Sequence, residues 1–327
     1  MQFETRKARD AAGWHLAQAV KLQGRRLSKA SLLTPDQAEA LGDQLIQVFR
    51  LDPTDLSEDA AATALRPLLD GPGLRLTAAR TGRVNVLAAR AGLVGVAAQS
   101  LLAFNSIDEA LTLATLPDMQ RVAPGDLIAT LKIIPFAAPA AAVEQALSLT
   151  AKPMLRLQPF TAKSVDLIQT QPAGLSPRLL DKARAALDAR LSALGSQVTH
   201  EDRIEHRAGA LAQALAACTG DLVIIFPGAA TQDRRDVGPA GLEQAGGEVQ
   251  QLGMPVDPGN LLFLGSLRGK AVLGAPGCAR SVAFNGFDWV LERLCADLAP
   301  SPTEIRGLGL GGLLKEIPSR PLPRLKT

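Results

Sequence analysis

The chain has 327 residues, 47% of them hydrophobic, and carries 35 Lys+Arg against 32 Asp+Glu for a formal net charge of +3. That is about twice a typical domain's length, so two domains with separate cores are expected and a disulfide-stapled mini-protein is excluded. Interspersed charge, 3% aromatics and no tyrosine leave neither a basic field nor a stacking platform, so a nucleic-acid binder is excluded too.

Cys218, Cys278 and Cys295 stand without metal-ligand spacing, and a reduced, cytoplasmic protein is the expectation. The opening MQFETRKARD is polar, and no apolar run reaches membrane-spanning length, so no membrane association is expected.

In chain order, Thr34-Pro35-Asp36 predicts a capped helix to about Leu41, with a strand over 45–51 after it. Ser57 opens a second helix running to Leu69, and the segment 74–96 alternates with Gly82 and Gly92 as turns, predicting strands. Residues 127–136 read as a buried strand and 137–151 as a helix closing the first domain. These elements give an N-terminal α+β domain of short strands and helices over 1–155.

Beyond it the pattern becomes alternating strand and helix. Strands are predicted at 165–170, 196–200, 221–226, 248–253, 261–265 and 271–275. Helices are predicted at 177–194, 204–217, 235–245 and 280–298. This alternation predicts an α/β domain over 156–300, a three-layer αβα arrangement with a mostly parallel sheet, followed by a tail over 301–327. Ligands in such sheets bind beyond the carboxyl ends of the strands.

Two strand ends deliver loops with chemistry. Residues 221–226 run into Pro227-Gly228-Ala229-Ala230-Thr231, then Arg234-Arg235-Asp236-Val237-Gly238-Pro239. Residues 271–275 run into Pro276-Gly277-Cys278-Ala279-Arg280-Ser281. Small residues admit close approach of a ligand to the backbone, and a helix opening after each loop would favour an anion, predicting a phosphate cradle. Arg234, Arg235 and Arg280 could add phosphate contacts, and Asp236 could hold magnesium. The competing reading makes Asp236 a helix cap and the arginines surface charge. His15, His200 and His206 are too scattered for a metal triad and read as structural or solvent-exposed. Gly307 to Gly312 lacks the preceding strand that a dinucleotide loop requires.

In their order these loops resemble the molybdopterin-binding domain shared by the molybdenum insertases of the MoeA type, the molybdopterin adenylyltransferases of the MogA type and gephyrin. That family's Gly-Gly-Thr-Gly loop and Arg-Arg-Asp-Val-x-Pro helix start are met by Gly228, Ala229, Ala230, Thr231 and 234–239, and its Pro-Gly-Asn-Pro-x-Ser loop by 276–281. The segment Met254–Asn260 before a strand is similar to the insertase branch, and GRRLSKASLLTPDQAEAL resembles the insertase's non-catalytic region.

The resemblance implies a protein of molybdenum cofactor biosynthesis that binds molybdopterin or its nucleotide form. Gly228, Ala229, Ala230, Thr231, Arg234, Arg235, Pro276, Gly277, Cys278, Arg280 and Ser281 would hold the cofactor. Asp236, with Asp202 as the match to an acidic turn, would serve catalysis, Asp236 as metal ligand for Mg2+ with ATP. Homo-oligomers are common in that family. Catalytic members carry Gly-Asp-Glu after the first strand of the domain, where this chain has Gln171 to Pro177 without acids. Two alternatives therefore stand beside adenylyl transfer or metal insertion. One is a non-catalytic molybdopterin carrier for a separate nucleotidyltransferase or molybdenum hydroxylase; the other is a nucleotide pyrophosphate hydrolase of the competence-damage type.

Overall fold

Alternating burial organises the first unit, Met1–Gln158, in the computed structural model, which describes residues 1–149 and 153–314. Four antiparallel strands lie in the order Leu111–Thr115, Leu127–Ile133, Arg83–Ala88, Leu74–Leu76. Their inward residues, among them Val84, Val86, Leu113, Leu131 and Ile133, form a core with Phe104 and with Leu65 of the helix Glu58–Leu65. That helix and the one at Ala140–Leu147 lie where the sequence predicts helices, the second shortened by a strand at Ala137–Pro139. Thr34 caps the helix Pro35–Leu41 in a reciprocal box with Gln37, satisfying amide groups that the first turn leaves free. A smaller core around Trp14, Leu16, Leu33 and Val48 supports the three-stranded sheet at the N-terminus.

The second unit, from Pro159 on, is a six-stranded sheet. Its elements are β1 (Ser164–Gln171), α1 (Pro177–Ser192), β2 (Gln197–Glu205), α2 (Ala208–Ala217), β3 (Leu222–Phe226), α3 (Val237–Gln244), β4 (Glu248–Leu252), β5 (Phe263–Leu267), β6 (Lys270–Gly274), α4 (Gly286–Cys295) and α5 (Pro302–Gly307). The order is β2-β1-β3-β6-β5-β4. Strands β2, β1, β3 and β6 are parallel, and β5 runs antiparallel to both β6 and β4.

Every residue of β3 is buried, as expected of a central parallel strand covered on both faces. Leu222, Ile224 and Phe226 point into one core with Leu187 and Leu191 of α1 and Phe287 and Val290 of α4. Val223 and Ile225 point into the other, with Leu211 and Leu215 of α2 and Leu242 of α3. Burying each such side chain contributes roughly 1.5–3 kcal/mol.

Because β2 lies on one side of β1 and β3 on the other, the chain reverses direction across the sheet between β1 and β3. A crevice opens at such a reversal, beyond the carboxyl ends of the two strands. At the other end of the sheet, buried Asp166 accepts the Thr219 and Gly220 amide protons, both at 2.7 Å, and closes the turn into β3.

Several boundaries differ from the sequence reading. β2 extends to Glu205, so the helix expected from Ile204 begins at Ala208. The charged stretch EDRIE reads as non-strand, yet it lies in the edge strand β2, none of whose residues is fully buried. The last long helix starts at Gly286, and the second loop itself holds only a 3-10 turn, Gly277–Arg280. Residues 301–314, expected within a tail, form α5 and a turn packed on the second unit: Ser301 caps the helix and Ile305 is fully buried. Gly312 lies against Pro255, where a Cβ would come within 2.3 Å of the Pro255 carbonyl oxygen, and Gly309 approaches the Pro255 ring, so these two glycines serve packing. Residues 150–152, close to the expected boundary at 155, and the tail prolines at 318, 321 and 323 lie outside the described residues. No helix among the described residues is long and apolar enough to cross a membrane.

Candidate functional site

Strands β3 and β6 are parallel neighbours, so the loops that follow them leave the same edge of the sheet side by side. The Arg280 guanidinium joins them, donating from Nη2 to the Pro227 carbonyl at 2.5 Å. The first loop is tied in turn to the end of β1, where the Gly228 amide donates to Thr170 Oγ1 at 2.8 Å. Glycine at 228 is required by packing. A Cβ there would lie 2.2 Å from Pro172 Cδ and 2.5 Å from the Thr170 carbonyl oxygen.

Asp236 occupies the N-cap position of α3 but makes no capping bond to the helix. Its Oδ2 instead accepts the amide protons of Gln232 at 2.7 Å and Asp233 at 2.9 Å, folding the loop back on itself. No side chain therefore caps the leading amide groups of Val237 and Gly238, which border a cavity of about 170 Å³. Of the residues expected from sequence, Ala229, Ala230, Thr231, Arg235 and Asp236 line this cavity, and His206 joins them. His206, read from sequence as structural or solvent-exposed, follows β2 directly, with Nδ1 2.7 Å from Thr170 Oγ1. Burial pushes its pKa down, while the negative charge of Asp236 works in the opposite direction.

Other expected residues lie apart from the cavity. Arg234 turns back to β4, donating to the Val249 carbonyl at 3.1 Å and standing 3.6 Å from Glu243. Arg235, which does line the cavity, is almost fully exposed, its Nε on Asp233 Oδ1 at 2.6 Å. Asp202 sits on β2, 3.2 Å from His200 Nε2, and does not line the cavity.

In the second loop Pro276 is buried, Cys278 half-buried, and Gly277 and Ser281 exposed. Arg280 pairs with no carboxylate among the described residues. Its Nε is buried without a partner, and burial lowers its pKa. A bound anion would supply what that guanidinium lacks. The cradle is thus smaller than the sequence suggests. The N-terminal amides of α4 offer nothing to a ligand there, because Asn285 and Asp288 cap them in a reciprocal box.

The residue that shapes the second loop is Arg190, which the sequence reading leaves out. From α1 it pairs with Asp288 at 2.6 Å and donates to the carbonyls of Ala279 (3.0 Å), Ser281 (2.6 Å) and Ala283 (3.2 Å). Its signal lies in the helix pattern. Ala183, Leu187 and Leu191 mark the buried stripe of α1, and Arg190, three residues after Leu187, falls on it.

The described residues assemble no metal site of their own. Asp236 gives Oδ2 to two loop amides, Asp202 does not line the cavity, and the described residues hold no cluster of three His, Cys, Asp or Glu able to ligate a metal. They do suit a phosphorylated ligand, which uncapped amides, Arg235 and Arg280 could receive.

No family model matches this chain, and no curated protein matches it. Among solved structures it is similar to the molybdopterin biosynthesis MoeA protein from Pyrococcus horikosii, at 12% identity and a TM-score of 0.31, covering 91% of this chain and 75% of that one. It is also similar to NadC from Streptococcus pyogenes, at 13% identity and a TM-score of 0.18, covering 58% of this chain and 79% of that one.

Proposed function

We propose that this protein binds molybdopterin, or a nucleotide form of it, within molybdenum cofactor biosynthesis, and that it holds the cofactor for a separate enzyme. One observation carries the reading. The two loops that resemble the molybdopterin-binding family extend from adjacent parallel strands at the carboxyl edge of the sheet, and Arg280 joins them through the Pro227 carbonyl. The pterin phosphate would lie against the amides of Val237 and Gly238 with Arg235 beside it, and Arg280 and the 276–281 loop would receive the rest of the ligand. Molybdopterin supplies the dithiolene that carries molybdenum; the chain's part is to bind it, orient it and limit its exposure to water.

Holding is favoured over magnesium-assisted adenylyl transfer by the placement of the acids. Asp236 gives Oδ2 to its own loop, Asp202 does not line the cavity, and β1 ends at Gln171 and leads into Pro172 in place of an acidic turn. The test is anaerobic calorimetry with molybdopterin, with and without Mg-ATP, and an assay for adenylylated product in the same samples. Saturable binding without nucleotide consumption is expected. Adenylylated product would restore the transferase reading. Absence of binding, with hydrolysis of a nucleotide pyrophosphate bond in the absence of pterin, would replace both by the hydrolase.

A further inference from the structure

The hydroxyl of Thr170 lies between two groups, the Gly228 amide at 2.8 Å and His206 Nδ1 at 2.7 Å. An amide N–H can only donate, so the Thr170 oxygen accepts from Gly228. Its single proton then has Nδ1 as its acceptor, and no other acceptor for it exists among the described residues. A neutral imidazole that accepts at Nδ1 carries its proton on Nε2. That nitrogen has no hydrogen-bond partner among the described residues, and the ring it belongs to lines the cavity of the first loop.

We infer that His206 presents its Nε2–H to a phosphoryl oxygen bound in this cavity, as a ligand-contacting donor, and that Thr170 is the positioning residue that fixes the required tautomer. The inference rests on the reading of the cavity as the seat of the pterin phosphate and adds a contact to it. The surroundings select an anion. The other groups offered to a ligand are the uncapped amides of α3 and the Arg235 guanidinium, while Asp236 spends Oδ2 on two loop amides. Thr170 closes the arrangement because one hydroxyl both holds Gly228 in place and orients the ring. The position of the first loop and the direction of the donor are thereby set by the same atom.

The chain has three histidines, so long-range 1H–15N NMR of the full-length protein resolves each ring, and His206→Gln identifies the third. At mildly alkaline pH, His206 is expected with Nδ1 bare and Nε2 protonated. Thr170→Val should yield a mixture of tautomers, and Thr170→Ser should restore the single one, which a merely structural hydroxyl would not do. Titration with inorganic phosphate into the tens of millimolar should move the His206 Nε2 resonance saturably. His206→Phe should weaken phosphate binding about tenfold, the worth of one charge-assisted hydrogen bond, while its amide spectrum stays folded; His206→Gln, which keeps a donor, should lose less. A ring protonated at Nδ1, an Nε2 resonance that phosphate leaves in place, or equal phosphate affinity in His206→Phe would each overturn the inference. Phosphate is read without pterin, so failure of molybdopterin to bind beside an intact phosphate response would remove the pterin reading and leave His206 standing.

Discussion

Replacing Arg190 by Met tests how the second loop is held. The side chain is buried at 7% exposure and pairs with an Asp288 carboxylate that is itself 10% exposed. It also satisfies the carbonyls of Ala279, Ser281 and Ala283. Removing one partner of a buried ion pair costs about 3–5 kcal/mol. Met preserves the packing of the aliphatic stem, and Asp288 keeps the Asn285 amide at 2.8 Å, so the low end, about 3 kcal/mol, is expected. Arg190→Met with Asp288→Asn should recover part of the loss, because no charge then remains buried without a partner while the Asn oxygen can still accept the Asn285 amide. The chain has two tryptophans, Trp14 in the first unit and Trp289 in the second. In a Trp14→Phe background, urea unfolding followed by fluorescence therefore reports on the second unit alone, and Trp289 touches the loop through Phe284. Hydrogen exchange over residues 279–283 should rise in step. A loss below about 1 kcal/mol, smaller than a single net hydrogen bond's worth, with unchanged exchange would refute the claim that Arg190 sets this loop.

Gly228→Ala should cost about 1–3 kcal/mol, because the added methyl must displace Pro172 or the Thr170 carbonyl; an unshifted urea midpoint would disprove the contact. Asp236→Ala should release the Gln232 and Asp233 amides, costing about 1–2 kcal/mol and making 231–234 sensitive to limited proteolysis, so ligand affinity falls together with loop order. Burial acts to raise the pKa of Glu201, but hydrogen bonds from Arg203, Gln169 and Arg184 prevail and hold it below the usual 4.5. With the folded pKa depressed, this contribution is present above 4.5 and is lost as pH falls through the folded value. Glu201→Gln should therefore flatten the acid limb of a stability–pH curve. Burial also depresses the pKa of His206 below 6.5, so the unfolded chain binds its proton first and stability declines as pH falls from 6.5 toward the folded value. His206→Gln should remove that decline.

Much of the second unit was legible because its central strands are continuous apolar runs bounded by turn residues, as at 221–226. Edge strand β2 was half-read, since solvent on its exposed face permits the acids and arginine of EDRIE that a central strand would reject. In the first unit the helix Ala98–Asn105 was not read; its sequence AQSLLAFN carries no capping residue ahead of it and little polar contrast. Both site loops were legible as motifs, and their adjacency was not, because it depends on β3 and β6 pairing across the intervening β4 and β5. The packing contacts of Asp236 and Gly228 were not legible for one reason. A motif shows which residue types gather, whereas a carboxylate facing its own loop, or a glycine lying against Pro172, is a matter of tertiary packing. His206 could be found only from the register that carries β2 to the end of β1.

The sheet of the second unit divides its interior in two. The first loop runs into α3, whose Leu242 belongs to one core, while the second is clamped by Arg190 from α1, whose apolar stripe belongs to the other. The two loops thus answer to separate packing sets, with β3 as the common partition, and meet at the Arg280–Pro227 hydrogen bond. Substitutions in the core beneath α3 act first on the loop that carries the cavity, those in the core beneath α1 act first on its neighbour, and that single hydrogen bond is where one set of changes reaches the other.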